Sequence, residues 1–133
     1  MSQKNVDAVR RVLEAGGRGD LSDLLSLHDP EWEGFIPAEY PVAGTYRGLD
    51  GVRAFVEEWL DAWEEFRVEP EEFLDVGDSV VVMVRYWGRG KGSGVEVHDR
   101  WAYLYKLRDG KIIRWRLYAS RHEALKAVGL EDG

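Results

Sequence analysis

Residues 79–119 read SVVVMVRYWGRGKGSGVEVHDRWAYLYKLRDGKIIRWRLYA, and their pattern decides the fold. Three runs, Ser79 to Trp87, Val95 to Leu107 and Lys111 to Ala119, are rich in β-branched and aromatic residues, as strands are. Between them stand the glycine-rich stretch Gly88 to Gly94 and the dipeptide Asp109-Gly110, a strong hairpin signal. Upstream, Val68 to Val76 closes at Gly77-Asp78 in the same way. Four consecutive strands joined by short turns make an antiparallel meander.

Before the meander the period changes from two to about 3.6. Val52, Phe55, Val56, Trp59, Leu60 and Trp63 form one apolar stripe, with Glu57, Glu58, Asp61, Glu64 and Glu65 opposite, which predicts a helix from about Asp50. A first helix is expected from Val6 to Ala15, stopping at Gly16-Gly17 and Gly19. A short second helix is capped by Asp20 and ends at His28-Asp29-Pro30. Glu31 to Arg47, with Pro37, Pro41, Gly34 and Gly44 among Trp32, Phe35, Tyr40 and Tyr46, reads as a short strand and an irregular aromatic segment. Ser120-Arg121-His122-Glu123 fits the start of a short C-terminal helix. Three helices ahead of a curved sheet, with helices covering one face, is an α+β domain.

The chain of 133 residues has the size of one domain, taken as 1–133. Its longest aliphatic run, Val80 to Val84, is far short of the roughly 20 residues that span a bilayer, and the start lacks a secretory core, so a cytoplasmic protein without membrane contact is expected. With no cysteine there is no disulfide framework, thiol nucleophile or thiolate metal site. His28, His98 and His122 have no metal-ligand spacing, and no metal or cofactor is expected. The net charge of −7 hides an asymmetry: residues 1–78 hold 19 acidic and 7 basic side chains, residues 79–133 hold 6 and 11. This balance argues against nucleic-acid binding and for an acidic helical layer against a basic sheet.

Gly19-Asp20-Leu21, Leu27-His28-Asp29-Pro30 with Trp32, Gly44-Thr45-Tyr46-Arg47-Gly48, Ser93-Gly94-Val95-Glu96-Val97 and Arg108-Asp109-Gly110-Lys111-Ile112 occur in an order that resembles the nuclear transport factor 2-like superfamily, in its SnoaL-like, polyketide-cyclase branch. The resemblance runs from about Val6 to Leu130. It implies a cone-shaped sheet, a pocket between sheet and helices, and a homodimer through the outer sheet face. It does not carry over the better-known chemistry. The first-helix tyrosine of the ketosteroid isomerases falls at Val12, their general-base aspartate near Ile36, and their oxyanion-hole carboxylic acid at Tyr103; the last-strand aspartate of the epoxide hydrolases falls at Leu117. Neither Val12 nor Ile36 can move a proton.

Strand parity sorts the meander. Asp99, Trp101, Tyr103 and Tyr105 share one face and His98, Arg100, Ala102, Leu104 and Lys106 the other; Ile113, Trp115, Leu117 and Ala119 face inward, Arg114, Arg116 and Tyr118 outward. Asp99 is thus a lone carboxylate on an aromatic face. A hairpin symmetric about Gly92 sets Arg85 across from it, making either a polar pair at a pocket rim or a structural ion pair. Asp99, Arg85 and Tyr103 are therefore the candidate catalytic groups. Trp32, Tyr46, Trp63, Trp101 and Leu117 are candidate ligand contacts, the rings serving equally as core, with Trp32, Tyr40 and Tyr46 expected at the pocket mouth. Three readings stay open: a protein binding a small apolar or aromatic molecule; an isomerase, lyase or hydrolase with Asp99 as acid–base group; and a non-catalytic dimerisation or interaction module.

Overall fold

The structure, a computed structural model, describes residues 2–38 and 44–130, so Tyr40 and Pro41 lie outside the described residues. In chain order the elements are α1 (Ser2–Arg18), α2 (Leu21–Leu27), β1 (His28–Ile36), β2 (Gly44–Arg47), α3 (Gly48–Ala62), β3 (Trp63–Val76), β4 (Ser79–Gly90), β5 (Glu96–Arg108), β6 (Lys111–Tyr118) and α4 (Arg121–Ala127). The strands form one six-stranded sheet in the order β2-β1-β6-β5-β4-β3. The β3–β6 meander is antiparallel as expected, but β1 joins β6 in parallel, so the whole sheet is mixed, curved and unclosed. None of the described helices is long and apolar enough to cross a membrane.

Helix α1 runs through Gly16 and Gly17 and stops only at Gly19, whose φ of +67° suits glycine. There the N–H of Asp20 reaches the Ala15 carbonyl at 2.9 Å and that of Gly19 the Gly16 carbonyl at 3.2 Å, the paired bonds of a Schellman stop. Asp20 then caps α2 by accepting from the Asp23 N–H at 3.0 Å. His28 does not merely end that helix: the chain turns extended there and begins β1. Trp63, expected on the α3 stripe, is instead the first residue of β3, paired with Gly90. Its ring still reaches the core, because a side chain at a helix-to-strand junction keeps contact with both elements.

The core lies between the sheet and α1–α3. Val6, Val9, Val12 and Ala15 of α1 and Val52 and Trp59 of α3 meet Val80, Val82, Val84 and Tyr86 of β4, Trp101, Tyr103 and Tyr105 of β5, and Trp115 and Leu117 of β6. Parity therefore placed the aromatics correctly. It failed at two points: the β5–β6 ladder shifts register between Lys106 and Leu107, so Ile112 is buried inward while Ile113 is only half-buried, and Ala119, past the end of β6, is exposed.

The outer face is not bare. Ala124 and Val128, in and just after α4, pack on Val81, Met83, Ala102, Leu104 and Tyr118. This explains the unbroken run Val80 to Val84: β4 is covered on both faces, and a strand buried on both sides has no place for polar alternation. Helix α4 begins as expected, with Ser120 accepting from the Glu123 N–H at 3.2 Å.

One glycine makes room for Trp32. A Cβ at Gly34 would overlap Cζ2 and Cη2 of that indole, whereas one at Gly51 would crowd the Tyr46 backbone at 3.0 Å. Gly34→Ala is expected to destabilise the protein by about 1–3 kcal/mol through overpacking. Gly17→Ala, in α1 with nothing within 4 Å of the added carbon, should stabilise it by about 0.5–1 kcal/mol. Urea unfolding of the two variants checks both signs.

Candidate functional site

A cavity of about 130 Å³ opens between the sheet and the three N-terminal helices. Val12, Leu13 and Gly16 of α1, Leu24 of α2 and Val52, Phe55, Val56 and Trp59 of α3 form its helical wall. His28 and Trp32 of β1, Phe66 and Val68 of β3, Tyr103 and Tyr105 of β5, and Trp115 and Leu117 of β6 form the sheet wall. Gly17, Gly19 and Leu60 also border it, and because Leu60 is 43% exposed, the solvent side lies between the end of α1 and α3.

Of the candidate residues, the fold brings together Trp32, Tyr103 and Leu117 around this cavity. Trp63 and Trp101 lie beside it, in a plug of rings. Tyr86 stacks on Trp101 at 4.3 Å between centroids and meets Trp63 edge-on at 5.5 Å; Trp59 touches both Trp63 and Tyr86 and divides plug from cavity. The space under Trp101 is thus filled. Within the plug, Tyr86 Oη and Trp63 Nε1 are buried without a hydrogen-bond partner among the described residues, and burial first, then the neighbouring Tyr103, pushes the Tyr86 phenol well above its ordinary range. Tyr46 packs on Phe55 at 5.4 Å and donates to Glu58. Burial, that bond and the Glu58 charge raise its phenol to about 12. Neither Trp32, buried deep in the wall, nor Tyr46 forms the mouth; Tyr40 lies outside the described residues.

The Arg85–Asp99 pair does not form. Gly90 N–H bonds the Val95 carbonyl at 2.9 Å, which centres the hairpin between Gly92 and Ser93 and sets Arg85 opposite Arg100 and Asp99 opposite Tyr86. Moving the register by one residue puts the two side chains on opposite faces. Arg85 and Arg100 share Glu71 on the outer face, at 3.2 and 3.1 Å. Asp99 is exposed at the open end of β5, where it accepts from the Arg100 N–H at 2.8 Å and from Trp101 Nε1 at 3.2 Å. It does not border the cavity.

The polar atoms of the cavity's described lining come from His28, Tyr103, Tyr105 and the indoles of Trp32, Trp59 and Trp115. Burial pushes the Tyr105 phenol well above its ordinary range, the neighbouring Tyr103 adds to this, and the Trp115 indole opposes it. The Trp32 N–H is buried without a hydrogen-bond partner among the described residues. His28 is only 6% exposed, with Nδ1 2.6 Å from the Leu24 carbonyl oxygen. Burial lowers its pKa below the ordinary 6.5, and the Leu24 bond offsets part of this. The described residues hold no cluster of metal-ligating side chains. Sequence reasoning set His28 aside as a helix end. Its signal was the i, i+4 spacing to Leu24 within a leucine-rich turn, which points a ring into the core.

The described lining thus consists of apolar side chains, rings and one imidazole, without a carboxylate among its members, the make-up common in pockets for small molecules. Val12 and Leu117, where the resemblance places a tyrosine and an aspartate in catalytic relatives, are both in that lining. Comparison with known proteins agrees on the family. The SnoaL-like domain matches residues 9–115, and the chain belongs to this family of the nuclear transport factor 2-like superfamily. It is 33% identical over 111 residues to an uncharacterised protein of Mycobacterium tuberculosis, covering 83% of this chain and 84% of that one. The crystal structure of a nuclear transport factor 2-like protein from Burkholderia xenovorans is 30% identical and superposes with a TM-score of 0.82, covering 96% of this chain and 98% of the other. TerC, co-crystallised with polyporic acid, shares the fold at 22% identity and a TM-score of 0.78, covering 95% and 98%.

His28 gives the protein an acid-sensitive stability term. Its native pKa lies below that of an unfolded histidine, so below about pH 6.5 the unfolded chain binds a proton that the native state refuses. Stability contributed by the neutral ring is present in full above that pH and is lost as the pH falls toward the native pKa. The slope cannot exceed about 1.4 kcal/mol per pH unit for one proton. His28→Asn keeps a donor for the Leu24 carbonyl and does not titrate. Urea unfolding at pH 7.5 and 5.5 should show a smaller acid loss in this variant than in the parent.

Proposed function

We propose that this SnoaL-like protein binds one small apolar or aromatic molecule in the cavity between sheet and helices. The observation that carries the reading is the cavity's size and chemistry together. Its volume of about 130 Å³ is close to the roughly 150 Å³ of apolar cavities that stay dry and take up benzene. Val12 and Leu117 extend the apolar wall where catalytic relatives have polar groups. TerC, whose fold the chain shares, was co-crystallised with polyporic acid, which supports a small-molecule occupant for the fold. Catalysis by Asp99 is less well supported, because acid–base chemistry needs the group within hydrogen-bond reach of the reacting atoms, and Asp99 is outside the lining.

Toluene is the first probe. At about 100 times its dissociation constant a ligand stabilises the native state by about 2.7 kcal/mol, which raises the melting temperature by several degrees. Val12→Phe, which places a ring where the isomerases carry a tyrosine, should fill the space and abolish the shift. Asp99→Asn and Arg85→Met should leave it intact. Absence of a shift with every ring from benzene to naphthalene overturns the reading, and loss of binding in Asp99→Asn favours the enzymatic one.

We further propose a homodimer through the part of the outer face beside α4. The support is a groove of about 520 Å³ in which Leu104, Tyr118 and Val128 adjoin Lys106, Arg114, Arg116 and the carboxylate of Asp78. Sedimentation velocity should show a dimer that Leu104→Asp converts to monomer; a monomeric parent protein overturns this.

A further inference from the structure

We infer that His28 is the hydrogen-bond acceptor that selects the cavity's occupant, which is therefore a compact ring bearing a hydroxyl, as in a phenol or an enol. The inference rests on the ligand-binding reading above and deepens it. A carbonyl oxygen offers only lone pairs, so the 2.6 Å approach of Nδ1 to the Leu24 carbonyl fixes the hydrogen on Nδ1. A neutral imidazole carries one N–H, and its other nitrogen is an acceptor. Nε2 is thus a lone pair on a side chain nine-tenths buried and bordering the cavity, with no hydrogen-bond partner among the described residues.

The surroundings favour that tautomer and hold the ring still. Burial disfavours the imidazolium, which would abolish the acceptor. The Trp32 ring meets the imidazole edge to face at 5.3 Å and 87°, and Trp32 is itself seated against Gly34, where no side chain would fit beside it. The acceptor is therefore positioned before any ligand arrives, so binding pays little to order it. A hydrocarbon would bury Nε2 without a donor. A carboxylate would set negative charge against its lone pair. A hydroxyl on a single ring satisfies it and fits the volume.

Phenol and toluene form the matched test, since a hydroxyl and a methyl group are nearly the same size. In a cavity without an acceptor phenol is at a disadvantage, because its hydroxyl loses water and gains nothing. The preference for phenol, taken as the ratio of the toluene to the phenol dissociation constant, is measured by calorimetry. His28→Asn keeps the donor to Leu24 but offers nothing at the Nε2 position. It should lower the preference about tenfold, the equivalent of about 1.4 kcal/mol. His28→Gln, whose longer amide can set Oε1 near the place of Nε2, should recover part of it. In the parent protein the 15N resonance of His28 Nε2 should move on adding phenol and stay nearly fixed on adding toluene; this needs no variant to fold. Toluene binding with no 15N response to phenol, or with the preference unchanged in His28→Asn, overturns the role of His28 and leaves the ligand-binding reading standing. Binding of neither probe overturns both.

Discussion

The ladder between β4 and β5, running from Ser79 opposite Lys106 to Arg89 opposite Glu96, is the constraint on which the interior depends. It sets Val80, Val82, Val84 and Tyr86 on the same face as Trp101, Tyr103 and Tyr105. It also sends Arg85 and Arg100 to the other face, where Glu71 joins them. A slip of one residue would exchange these sets and bury two guanidiniums among the rings, at a cost no local contact could offset. The hairpin register thus decides at once that the helices have an aromatic surface to cover and that charge stays outside.

Given that surface, the helices do not fill the space evenly. At one end Trp63, Tyr86 and Trp101 pack ring on ring and close the cone. At the other, valines, leucines and the glycines of α1 leave a gap bordered by Tyr103, Tyr105 and His28. Trp59 separates the two regions. The same fold that hosts carboxylate chemistry elsewhere here presents a nearly apolar chamber, because Val12 and Leu117 extend the wall instead of reaching into the space. The polar groups left in its described lining are the His28 imidazole, the phenols of Tyr103 and Tyr105 and three indoles.

Much of this was legible in the residues. The stripe on α3, the alternation on β5 and β6 and the hairpin signal Asp109-Gly110 are local patterns, and each appears in the fold within a few residues of its expected bounds. Tyr103 and Leu117 border the cavity from the face that strand parity assigns them, whereas Trp32, expected at the mouth, lies in the wall. Trp63 and Trp101 share its face but not its opening, because parity gives the side of a sheet and not the distance along it. Arg85 and Asp99 were misjudged for a narrower reason: the glycines from Gly88 to Gly94 allow more than one loop closure, and strand pattern alone does not choose between them.

The sequence by itself determined the helices, the four-strand meander and the aromatic lining of one sheet face, since these follow from the spacing of neighbouring side chains, and its motifs pointed to the SnoaL-like family. Only the tertiary structure decided the hairpin register, the parallel seat of β1 beside β6, the passage of α4 over the outer face and the burial of His28 beside an open space. These depend on which distant residues chain closure brings together, and a periodicity of two or of 3.6 carries no information about that.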